Sequence, residues 1–171
     1  MAIYGAGGEL DLTFKITDEL KTTTSQFMCV GQAPGTTTAA DRTVSLCGVA
    51  NSIGSATGTA FHFIGIVQSY QSASSEVATV RTFGVSKAVC AESIPAMAPV
   101  MAYWGVSTTT MAGRIVCVDD GVSTSAATMS TSAHVIIIGR ALESGSTGTV
   151  ISILIQPSLY DLNLVGSISI T

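Results

Sequence analysis

The chain has 171 residues, enough for one domain with a hydrophobic core, and only 11% of them are charged against about 25% in an average soluble domain. Its net charge is −4 and its seven Lys and Arg residues are scattered singly, which disfavours nucleic-acid binding because several cations on one face are needed to neutralise phosphates. No apolar run approaches the ~18 residues of a membrane span, and the N-terminus lacks the charged and apolar regions of a signal peptide, so we expect synthesis in the cytoplasm and no membrane partner.

The strongest strand signal comes near the N-terminus, at residues 9–17. Apolar and polar residues alternate there with a period of two, which is typical of a β-strand with one apolar face. We predict that residues 1–23 form an N-terminal arm, whose apolar face lies on its own domain or on a neighbouring subunit. The candidate interface residues on that face are Leu10, Leu12, Phe14 and Ile16.

The middle of the chain shows many short apolar segments separated by turns rich in Gly, Ser, Asp and Pro. Such strands at near-regular spacing are typical of a small β-barrel or β-sandwich, so the predicted fold class is all-β. No long stretch shows the 3.6-residue period of a helix, although residues 93–101 have room for one helical turn. The predicted strands are residues 26–31, 43–49, 61–67, 77–83, 85–90, 100–104, 113–118, 135–142 and 150–156.

Two segments of this core resemble each other. The first contains FIGIV, a Ser-rich turn and a returning strand at Val77; the second contains IIGRA, a Ser/Gly-rich turn and a returning strand at Val150. Gly65 and Gly139 hold corresponding places, and we interpret both as permitting a close backbone approach or a bulge. The repetition favours an architecture built from similar hairpins.

The C-terminal residues 166–171 alternate again, after a break at Pro157. Ile and hydroxyl residues dominate there, which favours a strand over a helix. We therefore predict a C-terminal strand tail, with Ile168 and Ile170 as further candidate interface residues. The predicted organisation is an N-terminal arm, a β-rich core domain and a C-terminal tail, at residues 1–23, 24–157 and 158–171.

Residues for catalysis, metal binding or cofactor binding do not form a recognisable set. His62 and His134 are the only histidines and belong to no HxH or HExxH pattern. Asp119 begins a DDG sequence that is typical of a turn, because further calcium ligands are missing at the required offsets. Glycine-rich residues 5–8 lack the following GK[ST] of a phosphate-binding loop, and neither a GxSxG elbow nor a paired-carboxylate site stands out. We predict no catalytic residues, no metal and no cofactor, and hence not an enzyme.

The four cysteines are too widely spaced for a CxxC motif, and nothing in the sequence implies an oxidising compartment. Adjacent Tyr103 and Trp104 face opposite sides of a predicted strand; we interpret both as core, with an interface anchor as the alternative for one of them. We predict that the cysteines are buried free thiols acting as small hydrophobic residues. They are Cys29, Cys47, Cys90 and Cys117.

Several core segments carry motifs that occur in the same order in one known family. EVATVRTFGVSKAV, at residues 76–89, is similar to the GExATVxxxGVSKV hairpin of that family. Residues 94–100 match the next motif in part, because Met97 and Ala98 replace its usual turn glycine. Further matching segments are TSQFMCV, TVSL, FIGIVQ, IGRALE and VISILI, which begin at residues 24, 43, 63, 138 and 150. In this order, from residue 24 to residue 157, the chain resembles the capsid decoration (cement) proteins of tailed phages.

The resemblance implies a small β-barrel or β-sandwich domain that binds the outer surface of a phage head and stabilises contacts between major capsid protein subunits. The implied partners are the major capsid protein and other copies of the chain, as a homotrimer, in the virion after synthesis in the host cytoplasm. The alternative is an adhesive or carbohydrate-binding β-domain of a virion fibre. An aromatic content of 6% disfavours that alternative, because sugar sites usually expose aromatic side chains.

Overall fold

The computed structural model describes residues 3–4, 8–33, 43–47, 63–103, 111–118 and 136–159. In these ranges the chain forms ten connected β-strands and two short 3₁₀ helices, at Asp18–Leu20 and Thr23–Ser25, which confirms the predicted all-β class. The strands are β1 Ile3–Tyr4, β2 Leu10–Ile16, β3 Cys29–Gln32, β4 Thr43–Leu46, β5 Phe63–Val67, β6 Val77–Val89, β7 Pro99–Ala102, β8 Ile115–Cys117, β9 Ile136–Ala141 and β10 Val150–Leu159.

Five of these strands close into a ring in the order β2–β4–β3–β5–β6, and the ring closes because β6 also pairs with β2. The β2–β4 pairing is parallel and the other four are antiparallel. Apolar side chains fill the interior of this barrel, and the burial of each Val, Leu or Ile side chain stabilises the fold by about 1.5–3 kcal/mol. The buried residues of the barrel core are Ile16, Leu20, Val30, Val44, Val67, Ala78 and Val80.

The strand predicted at residues 9–17 is present as β2, and it is built into the barrel instead of extending from it. Leu12 and Phe14 lie opposite Val80 and Ala78 of β6, so the apolar face of β2 points into the barrel. Burial inside the same chain removes part of this face from water, since Ile16 is buried and Leu10, Leu12 and Phe14 are half-buried. The segment predicted as an N-terminal arm therefore supplies one wall of the core.

The long strand β6 joins the barrel to a second sheet. Two strands were predicted here, at residues 77–83 and 85–90, but the structure has one 13-residue strand that runs through Gly84 with φ = 96°. The first half of β6 pairs with β2 and β5, whereas the second half pairs with β10. From β10 the second sheet continues in the order β9–β7–β8. The glycine thus marks a change of partner and not the end of a strand.

The second sheet packs against β3 and β5 of the barrel. Cys29 and Ile66 belong to the core under the second sheet, while their neighbours Val30 and Val67 belong to the barrel core. Successive side chains of a strand point to opposite faces, so here both faces are buried. This is why consecutive residues of β3 and β5, such as Cys29–Val30 and Ile66–Val67, are apolar, while β2 alternates.

The two segments that resemble each other form comparable antiparallel pairs, β5–β6 and β9–β10. A Cβ atom added at Gly65 would lie 2.3 Å from the backbone oxygen of Arg81, and one added at Gly139 would lie 1.9 Å from that of Leu154. Neither contact is sterically possible. Both glycines therefore permit a close approach of the neighbouring strand, as the sequence predicted.

Charged side chains on the outside of the barrel connect β2 to β6. Arg81 Nε and Nη2 donate to the two carboxylate oxygens of Asp11, at 2.8 and 3.0 Å. Arg81 Nη2 is also 2.9 Å from Glu9 Oε2, and Nη1 donates to the backbone oxygen of Val85. The Arg81 side chain is only 17% exposed, so it fixes the barrel wall at the point where β6 changes partner.

Substitution of Arg81 by Ala is expected to lower the free energy of unfolding by about 2 kcal/mol, because hydrogen bonds between charged groups are lost and two carboxylates lose their cation. Arg81→Lys should recover only part of this, since Lys keeps the charge but lacks the planar fork that binds both oxygens of Asp11. Urea denaturation measures the difference. Equal stability of the Ala variant and the unaltered protein would contradict the assigned role.

Candidate interaction surface

The side of the second sheet that faces away from the barrel exposes apolar side chains. The strand registers place Val85, Leu154, Arg140 and Pro99 in one row across β6, β10, β9 and β7. The side chains that alternate with them point inwards and are buried. We call this side the outer face, and its apolar residues, together with Arg140, are Phe83, Val85, Met97, Arg140, Leu142, Val150 and Leu154.

Most of the exposed large hydrophobic side chains in the described part of the chain belong to this face. Five of the seven large hydrophobic side chains that are exposed there belong to it, with exposed fractions from 41% for Leu142 to 60% for Met97. The other two, Tyr70 and Val77, lie apart from it, in the β5–β6 connection and at the barrel end of β6. Clustered exposed apolar side chains are typical of a surface that binds a partner.

Met97 is unusual in both exposure and backbone geometry. Residues 93–101, where one helical turn was predicted, contain a tight turn and the start of β7. Within this turn Met97 has φ = 67°, a left-handed conformation that favours glycine. The turn is held by the Met97 N–H, which donates to the Ala141 oxygen at 2.9 Å, and by Arg140 Nη1, which donates to the Met97 oxygen at 3.1 Å. Strained backbone positions cluster at binding sites, and this one presents a large apolar side chain.

Polar side chains also lie within the outer face, because the register places the Ser152–Lys87 pair between Leu154–Val85 and Val150–Val89. Lys87 Nζ lies 3.2 Å from Glu143 Oε1 and 2.8 Å from Ser152 Oγ, and the Ser152 N–H also donates to Glu143. These interactions hold the pKa of Glu143 below its ordinary value, with the Ser152 side chain as the largest contribution, followed by the Ser152 N–H and Lys87. The side chains of Lys87, Ser152 and Glu143 thus connect β6, β10 and the end of β9.

The stabilisation by Glu143 is expected to depend on pH. Because its pKa is lowered in the folded protein, the contribution is fully present above the ordinary value of 4.5 and is lost as the pH falls through the folded-state pKa. Glu143→Gln should therefore be less stable than the unaltered protein near neutral pH, and the difference should shrink as the pH falls below 4.5. Thermal unfolding across this pH range checks it; a difference that is independent of pH would refute the expectation.

The residues predicted as interface candidates lie mostly elsewhere. Ile16 is buried in the barrel and Phe14 packs against the barrel core. Leu10 and Leu12 are half-buried, and Leu10 lies opposite Phe83 at the border of the outer face. Contact of these residues with a partner stays a prediction. Ile168 and Ile170 lie outside the described residues.

The four cysteines are free thiols, as predicted. Three of them are fully buried, whereas Cys117 is half-buried. Burial raises the pKa of the Cys29, Cys47 and Cys90 thiols.

Other positions singled out in the sequence are only partly described. Tyr103 is half-buried, while His62, His134, Asp119 and Trp104 lie outside the described residues. Across the ranges that are described, no three His, Cys, Asp or Glu side chains are grouped so as to hold a metal ion. Within the same ranges, no helix has the length and apolar character needed to cross a membrane.

No protein-family model matches the chain, and no curated protein matches it. Among solved structures, the chain is similar to one described as the head fiber gp8.5 N base in bacteriophage phi29. The two are 12% identical, the alignment covers 86% of this chain and 94% of that one, and the TM-score is 0.45. At these values the likeness assigns neither a family nor a function.

Proposed function

We propose that this chain is a non-enzymatic structural protein of a phage virion, which attaches to the outside of the capsid through its outer face. The observation that carries the proposal is the clustering of exposed apolar side chains on one side of the second sheet. By contrast, the outward side of β2, next to Arg81, presents Asp11, Thr13 and Lys15. The resemblance of the ordered motifs to those of capsid decoration proteins favours the capsid as the partner.

The chemistry of the outer face fits a protein surface as its partner. Met and Arg are enriched in the centres of protein interfaces, and here Met97 and Arg140 are in direct contact. In the described part of the chain the Arg140 guanidinium binds a backbone oxygen and has no carboxylate within ion-pair distance. A matching surface on the major capsid protein would be apolar and would carry a carboxylate opposite Arg140.

We further propose that the chain acts as a homotrimer. Three copies in one complex would present three outer faces, and linked binding sites gain affinity through effective concentration without any new contact. A modest apolar face on each copy is then sufficient for stable attachment to several capsid subunits.

The test is co-sedimentation of the purified chain with purified phage capsids that lack it. Saturable binding at a fixed number of copies per capsid is expected, together with a trimer mass by light scattering. Absence of binding to capsids would overturn the proposal. Binding to a glycan array by a chain that ignores capsids would instead favour the adhesive function.

A further inference from the structure

Two of the buried cysteines lie side by side at the end of the β3–β4 strand pair. β3 and β4 are antiparallel, with Val30 opposite Leu46 and Gly31 opposite Ser45. Continued by one residue, this register places Cys29 opposite Cys47, and the Cys47 N–H donates to the Cys29 oxygen at 3.0 Å. The reciprocal bond of a hydrogen-bonded pair is not formed, because the Cys29 N–H and the Cys47 oxygen both bond to Gly113. The single bond keeps the two residues adjacent: opposed residues of antiparallel strands have Cα atoms about 5.5 Å apart, and a disulfide spans Cα separations of up to about 6.8 Å.

The side chains share one environment, and the backbone around them is held in place. Both cysteines are at most 1% exposed and belong to the same core cluster. Gly113 forms hydrogen bonds with the two backbone groups of this pair that do not bond to each other. The Cys29 N–H donates to the Gly113 oxygen at 2.6 Å, and the Gly113 N–H donates to the Cys47 oxygen at 2.7 Å. Cys90 also lies in this cluster, but its backbone pairs with Thr149 and Gly148, so the strand register opposes only Cys29 and Cys47.

We propose that Cys29 and Cys47 are a modification site, a cross-strand dithiol that closes to a disulfide when the protein meets a disulfide oxidant. One thiolate attacks a sulfur of the oxidant, breaks its S–S bond and releases one thiol. The second thiolate then attacks the mixed disulfide, forms the Cys29–Cys47 bond and releases the other thiol. The protein loses two protons and two electrons, and the oxidant takes up both in becoming two thiols.

Burial determines when this reaction occurs. The thiolate is the attacking species and is scarce in an apolar core, and the oxidant reaches the thiols only when the barrel opens locally. Closure is therefore slow, and the dithiol stays reduced in a reducing cytoplasm. The bond would close residues 30–46 into a loop, so the oxidised protein should have a higher Tm, by about 6–12 °C for a chain of this size. The chemistry does not depend on capsid binding.

Prolonged incubation of the full chain with oxidised glutathione, followed by alkylation under denaturing conditions and peptide mapping without reductant, tests the proposal. We expect a peptide that links Cys29 to Cys47, a protein mass lower by two hydrogen atoms before alkylation, and alkylated Cys90 and Cys117. The rise in Tm should be reversed by reductant.

Two variants make the assignment specific. Cys90→Ala should retain both the linked peptide and the rise in Tm, whereas Cys47→Ala should lose both. If Cys47→Ala fails to fold, the peptide map of the unaltered protein still shows which two cysteines are linked. Four alkylated thiols, a glutathione adduct that does not resolve, or a link between any other pair of cysteines would overturn the proposal.

Discussion

Substitution of Val85 by Glu is expected to weaken binding to capsids by about 30-fold while the protein stays folded. Val85 lies in the row that crosses the outer face and is 44% exposed, so the fold gains little from its side chain. A carboxylate buried there against an apolar partner loses its hydration without gaining a cation, and a central interface residue is worth about 2 kcal/mol or more. Co-sedimentation at increasing protein concentration measures the change in Kd.

The same strand provides a matched control. Val77 is 51% exposed and lies at the barrel end of β6, opposite Lys15, so Val77→Glu introduces the same charge away from the outer face. It should bind capsids like the unaltered protein, and Leu142→Glu should be weakened like Val85→Glu. Equal losses for Val77→Glu and Val85→Glu would move the binding surface elsewhere and refute the assigned face.

Local sequence patterns predicted the strands well, because burial of one side of a strand is enough to produce an alternation of apolar and polar residues. The same patterns could not predict which strand or subunit covers that side. The apolar face of β2 was as compatible with a neighbouring subunit as with its own barrel, since the residues that cover it, such as Ala78 and Val80, are distant in sequence. Gly84 shows the same limit, because its positive φ marks a change of partner strand that only the pairing reveals.

The outer face was less predictable than the fold. Val85 and Leu154 are common strand residues whether exposed or buried, and they become neighbours only through the β6–β10 register. One signal was available in the sequence, because Met97 and Ala98 depart from the turn glycine of the motif that residues 94–100 resemble in part. In the structure this methionine has positive φ and is 60% exposed, so its side chain is accessible to a partner.

The largest effect on stability is expected for Gly139→Ala, at about 3 kcal/mol or more, which corresponds to a fall in Tm of about 6–12 °C. The new Cβ would lie 1.9 Å from the Leu154 oxygen and 2.9 Å from its carbonyl carbon. These are backbone atoms, so a rotamer change cannot relieve the clash and β9 must separate from β10. The separation would also disrupt the Leu154–Arg140 neighbours of the outer face.

Gly148→Ala separates this clash from the conformational cost of replacing a glycine. Gly148 has φ = 79° and no atom within 4 Å of an added Cβ, so its substitution should cost only about 1 kcal/mol. Gly65→Ala should behave like Gly139→Ala, because its Cβ would lie 2.3 Å from the Arg81 oxygen in the corresponding strand pair. Thermal unfolding of the three variants checks this order. If Gly139→Ala were no less stable than Gly148→Ala, close strand approach would not be the reason for glycine in the repeated segments.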